Sequence, residues 1–261
     1  MNEDIMFGYI ILISILVVSL PERATTQTGT LASDETTDVI DHSSFDSLWR
    51  ESVVRGRLRT DGCMSDAYAR YRNALATAAP SAFLPKAGTA FWVNAYLACL
   101  IEVLHIRTGY RSTVWDSLWL TRDTFTVAGR HVTLNDMAME AVKTAGTVGV
   151  HSCLPSGSSI GAPFPSAAAT AKTVRRQIRD QLRRICRSER YVLYDPAGNV
   201  LQLSSFFEPI AEGMKDEAKS IQVWVLAFVT ESVAAQMAIH ASTLKVQVQD
   251  RIESWRKARP P

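Results

Sequence analysis

From Ala90 to Leu104 the chain reads AFWVNAYLACLIEVL, apolar on nearly every side of a helix. A surface helix needs one apolar stripe, so a segment that is apolar all round must have neighbours on several sides. One helix therefore lies at the centre of a domain, and the rest of the chain must wrap it. Asn94 stands inside this run, where an amide without partners costs about 1–3 kcal/mol. Its side chain must meet a loop, a core polar network or a site, either as a tether or as the group that orients a catalytic residue.

The 261 residues are 47% hydrophobic and 21% charged, enough for one generous core and incompatible with disorder, collagen or a multi-pass membrane protein. Lysine and arginine number 28 against 26 aspartates and glutamates, a balance of +2 that excludes a surface built wholly to grip nucleic acid. No specific nucleic-acid partner is expected. Cys63, Cys99, Cys153 and Cys186 are far apart, with no C-x-x-C pair, so neither a zinc cage nor a disulfide framework is expected. The histidines His42, His105, His131 and His240 are equally scattered. Neither a metal nor a cofactor is implied.

Ile5 to Leu20 is uncharged and about one turn short of the roughly 20 residues that cross a bilayer comfortably. It reads as a secretory signal or a membrane anchor over residues 1–20, which puts the chain in the secretory pathway, secreted or tethered. Val17 and Ser19 fit a cleavage site, whereas Glu3 and Asp4 are atypical of a signal. Residues 21–38 are rich in Thr, Ser, Glu and Asp and read as a disordered linker. The folded domain is expected over residues 39–259.

Within it, Phe45, Leu48, Trp49 and Val53 recur at helical spacing. Ser65 can cap a helix carrying Tyr68, Tyr71 and Leu75, ended by the Pro80–Pro85 segment. Two strand-turn-strand patterns flank Ala128-Gly129 and Asp195–Asn199, and Thr133 with Asp136 forms a capping box for a helix to about Thr144. Thr147–Leu154 reads as a short strand entering a long loop at Pro155–Pro163. A helix from Val174 to Ile185, a turn capped by Ser205, one helix over Ile221–Met237 and a strand at Leu244–Val248 complete the pattern. Helices and antiparallel hairpins without a βαβ rhythm define a single mixed α+β domain.

Four constellations carry chemistry. His151 and Cys153 share a face of the expected strand, the arrangement of a base and a thiol, but stand roughly 7 Å apart along it. Gly157–Gly161 satisfies G-x-S-x-G, with Ser158 and Ser159 as candidate binding hydroxyls, but Pro163 and Pro165 block the helix that a nucleophile elbow requires. Arg175, Arg176, Arg179, Arg183, Arg184, Arg187 and Arg190 make one helix and its exit strongly basic, a solvated face or a seat for an anionic membrane surface. Asn94 is the fourth.

Ala90–Tyr96, Val132–Met137, Val150-His151 and Leu203–Phe207 follow one another in a pattern that resembles the domain-of-unknown-function 547 family, whose segments read roughly AFWINAYNA, LTLDDIEH, IHFALNCGAxSCPP and LSKIF. The resemblance spans about Phe45 to Trp255 and implies a mixed α+β fold, loosely thiol-hydrolase-like. Aligned from His151, the family's two cysteines fall on Ser156 and Gly161 and its helix histidine on Met139, while Asn94, Asp136, Glu140, His151 and Pro163 are retained. The implied function is a domain that no longer catalyses and instead binds a protein or small-molecule ligand beside the Ser156–Pro165 loop, with Trp92 in the family's AFWVNAY block as a binding candidate. The alternative is a hydrolase or acyl-transfer enzyme. Its nucleophile would be Ser156, Ser159 or Cys153, its base His151, and its orienting group Asp136, Glu140 or Asn94.

Overall fold

A computed structural model describes residues 37–54, 57–59, 65–79, 84–108, 119–156, 161–215 and 221–249. The chain divides into Met1–Ala32 and Ser33–Pro261, and every described residue belongs to the second unit. The Ile5–Leu20 run, Cys63 and the serines at 158 and 159 lie outside the described residues.

Helix α1 (Ser43–Ser52) buries Phe45 and Trp49. Val53, expected on the same helix, instead opens strand β1 (Val53–Val54), paired antiparallel with β2 (Arg57–Leu58), since two adjacent β-branched residues favour extended backbone. Helix α2 (Asp66–Thr77) starts where Ser65 Oγ accepts a hydrogen bond from the Tyr68 amide, as expected. Helix α3 (Pro85–Thr108) is the central helix: nearly every side chain from Ala87 to Leu104 is buried. It is the one described helix long and apolar enough to cross a membrane, and its neighbours within the domain account for that composition.

After the short α4 (Trp119–Arg122), strands β3 (Thr124–Val127) and β4 (Arg130–Thr133) form the expected hairpin. Ala128 at φ +52° and Gly129 at φ +71° make its left-handed tip. Their amides donate to the Leu75 and Ala76 carbonyls at 2.8 Å, closing the open end of α2 and offsetting the strain at Ala128. The Thr133/Asp136 capping box then opens α5 (Leu134–Ala145), which Gly146 ends at φ +63°.

Three expectations fail here. Thr147–Leu154 is not a strand: Val148–Cys153 forms a 3-10 turn, with Thr147 Oγ1 accepting from the Gly149 amide. Gly149 lies against α6 (Val174–Cys186), where a Cβ would come within 3.0 Å of Leu182 Cδ1, so packing overrides the β propensity of Val148 and Val150. Strands β5 (Val192–Asp195) and β6 (Val200–Ser204) pair as expected. Ser205 makes no cap: a 3-10 turn at Ser205–Phe207 leads directly into α7 (Glu208–Lys215). The Ile221–Met237 helix is broken into α8 (Ile221–Leu226) and α9 (Glu231–Ile239), because the Thr230 hydroxyl caps a new start. Finally β7 (Lys245–Gln249) joins β6 in parallel, so the sheet order β5-β6-β7 is mixed rather than a hairpin alone.

The result is a single α+β domain with two cores. The first surrounds α3 and takes Val174, Ile178 and Leu182 from α6, and the second lies under the three-stranded sheet and takes Ile185 and Cys186. One amphipathic helix thus serves both.

Candidate functional site

Between the 3-10 turn and α6, the described residues 154–156 and 161–173 have no helix or strand to satisfy their backbone. A buried segment of this kind must find partners for its amides and carbonyls elsewhere. Side chains supply them. Tyr96 donates to the Pro155 carbonyl at 3.0 Å, Tyr191 to Gly161 at 2.9 Å, Gln181 to Pro163 at 2.8 Å and Trp49 to Pro165 at 2.8 Å. Gln177 donates to the Ala167 carbonyl at 2.6 Å, while Asp46 accepts from the Ala168 amide at 2.8 Å and Asp38 from the Ala171 amide at 2.6 Å.

Asn94 completes the set. Its Nδ2 donates to the Ala169 carbonyl at 2.7 Å and its Oδ1 accepts from the Ala169 amide at 2.8 Å, so one side chain satisfies both backbone groups of one residue. Of the two roles open to Asn94, the structure displays the tether. The loop is a strap fastened to α1, α3 and α6.

The 3-10 turn changes the relation between His151 and Cys153. At about 120° per residue, positions i and i+2 point well apart, unlike the shared face of a strand. Cys153 is 1% exposed, and burial pushes its thiol up to about 12. Its sulfur approaches the Ser152 hydroxyl at 3.9 Å. His151 is half-buried, and burial alone pushes its imidazole down to about 4. No hydrogen bond joins that imidazole to a described residue.

The carboxylates named as orienting groups are engaged elsewhere. Asp136 accepts from the Thr133 amide at 2.8 Å and hydroxyl at 2.7 Å, and these bonds hold its pKa below the usual value. Glu140 pairs with Arg130 at 3.2 Å. Trp92 is 2% exposed, T-stacked on Phe91 and covered by the Arg130 guanidinium 5.5 Å from its ring centre. Ser156 packs against Gly161: a Cβ built on Gly161 would meet the Ser156 hydroxyl and lie 3.2 Å from its Cβ. Ser156 and Gly161 are therefore neighbours in space.

A concavity of about 550 Å³ lies on the other half of the strap, between Ser166–Thr173, the segment before and at the start of α1, and the first turns of α6. Asp38, Asp41, Asp46 and Asp180 line it against Arg50 and Arg176, an excess of acceptors and negative charge. His42, 3% exposed, stands in its wall with Nδ1 on the Tyr71 hydroxyl at 2.8 Å and Nε2 unpartnered. Burial depresses the His42 pKa, opposed by Asp38 and Asp41, so its ring is neutral at pH 7. Gln177 Oε1, also unpartnered and buried, belongs to the same wall. The sequence gives no sign that these residues meet, because nothing in their spacing links positions 38–50 with 166–181.

No group of three or more His, Cys, Asp or Glu among the described residues is arranged to hold a metal ion. No family model matches the chain, and neither a curated protein nor a solved structure does. The arrangement can accept hydrogen bonds from a compact polar ligand. Among the described candidates it brings no activated nucleophile to a base.

Proposed function

We propose that this chain is a non-catalytic binding module of the secretory pathway, secreted or membrane-tethered, resembling the domain-of-unknown-function 547 family. Its ligand seat is the concavity at Ser166–Thr173 rather than the groove beside Ser156–Pro165. One observation carries the reading. The described candidates for nucleophile and base are held apart from that concavity, with Cys153 protonated and buried and His151 neutral and unpaired.

The strap gives the seat its rigidity. Asp38, Asp46 and Gln177 each anchor a strap backbone group and line the concavity, so the wall is fixed before any ligand arrives. Spare lone pairs on Asp38, Asp41, Asp46 and Asp180, with the free Gln177 Oε1, suit a ligand rich in donors. A fragment screen followed by amide chemical shifts of the full protein tests this. Shifts should cluster at residues 38–46 and 166–177, whereas hits that perturb only residues 148–156 would overturn the assignment.

A further inference from the structure

We propose that the exposed flank of α6 is a docking face for an anionic lipid surface. In helical projection, Arg175, Arg179 and Arg183 follow one another at four-residue intervals along the solvent side of the helix, outside the stripe of buried Val174, Ile178, Leu182 and Ile185. All three arginines are exposed. Arg183 approaches Asp180 only at 3.9 Å, and among the described residues Arg175 and Arg179 have no acidic partner. Three guanidinium groups on about two and a half turns of a rigid helix form a concentrated positive field, although the whole chain carries only +2.

The apolar face of α6 is wholly committed to the two cores, so this helix meets a partner through charge alone and does not embed in a bilayer. An anionic headgroup layer suits a flank of this kind, since it offers phosphates at a density that several arginines can meet at once. Single-stranded nucleic acid is the poorer fit. The described aromatics nearest this flank in sequence, Tyr191 and Tyr194, are buried in the second core and are not offered for base stacking. The inference is independent of the ligand seat at Ser166–Thr173, which Arg176 lines and Arg175, Arg179 and Arg183 do not.

Sedimentation of the full chain with phosphatidylcholine vesicles, with and without phosphatidylserine, provides the test, because any contribution of the apolar run is common to both. Phosphatidylserine should strengthen binding by roughly 100-fold at low salt, an advantage that fades as salt screens it. The exposed substitutions Arg175→Gln, Arg179→Gln and Arg183→Gln, combined, should bring the ratio of the two affinities close to one while the thermal midpoint stays near that of the wild type. A wild-type ratio near one, or a ratio unchanged by the triple substitution or by salt, would overturn the proposal. So would tighter binding to a single-stranded oligonucleotide than to the anionic vesicles.

Discussion

Asn94 and Ala169, 75 residues apart in sequence, are joined through a single side-chain amide that donates at 2.7 Å and accepts at 2.8 Å. The pairing imitates a strand ladder at a place where no strand exists, and it fastens the strap to the central helix α3. Asn94→Ala would leave the Ala169 amide and carbonyl buried without partners, at a cost of about 2–5 kcal/mol. Urea unfolding should show a lower midpoint at an unchanged slope, and a loss below about 0.5 kcal/mol would mean the strap is held by other bonds.

Ser156 and Gly161 are close enough for a cross-link. The 3.2 Å between the Ser156 Cβ and a Cβ built on Gly161 needs only a small relaxation to reach the roughly 3.5–4.5 Å spacing of a disulfide. A Ser156→Cys, Gly161→Cys double variant should oxidise spontaneously to an intramolecular disulfide, seen by mass spectrometry as a loss of two hydrogens. If so, cysteines at these two positions would serve as a staple as readily as a reactive thiol. Two persistently free thiols under mild oxidation would contradict the placement.

Burial of His151 sets a pH window. Its folded pKa of about 4 lies below the roughly 6.5 of an unfolded histidine, so protonation favours the unfolded chain. Stability should be complete above about pH 6.5 and decline as pH falls toward 4, by up to about 3 kcal/mol from this residue. His42 shifts in the same direction and adds to the decline. Urea titrations across this window should give a shallower fall for His151→Gln; an unchanged slope would place its imidazole in a more solvated setting.

Asp136 is a cap. Because bonds from Thr133 lower its pKa, its contribution is present above the ordinary carboxylate range and is lost as pH drops through the depressed value. Thr133→Ala and Asp136→Ala should each cost about 1 kcal/mol of stability and leave ligand binding unaltered. A binding defect in a variant of normal stability would return Asp136 to the site.

The parts of the fold that could be read from sequence are those with local causes. Ser65 caps α2, Thr133 and Asp136 box the start of α5, Ala128-Gly129 turns a hairpin, and the apolar circumference of α3 dictates a central position. Elements decided by distant partners were misread. The Val148–Cys153 segment looks like a strand until Gly149 is placed under Leu182; the strand at Leu244–Val248 is legible from its alternation, but its parallel pairing with β6 is not. In the site, Asn94 was recognisable as a residue needing partners, but not as the partner of Ala169. The concavity is hidden in the sequence because Asp38 and His42 are far along the chain from Gln177.

Peptide-resolved labelling of the native chain with iodoacetamide and a fluorophosphonate tests the central claim most directly. With its thiol pushed up to about 12 and 1% exposed, Cys153 should stay unmodified at neutral pH and react only in denaturant, and Ser156 should not react with the fluorophosphonate. His151→Gln should leave that pattern unchanged. Stoichiometric modification of Cys153 or Ser156 in the native protein, abolished by His151→Gln, would contradict the account and reveal a nucleophile activated by that histidine.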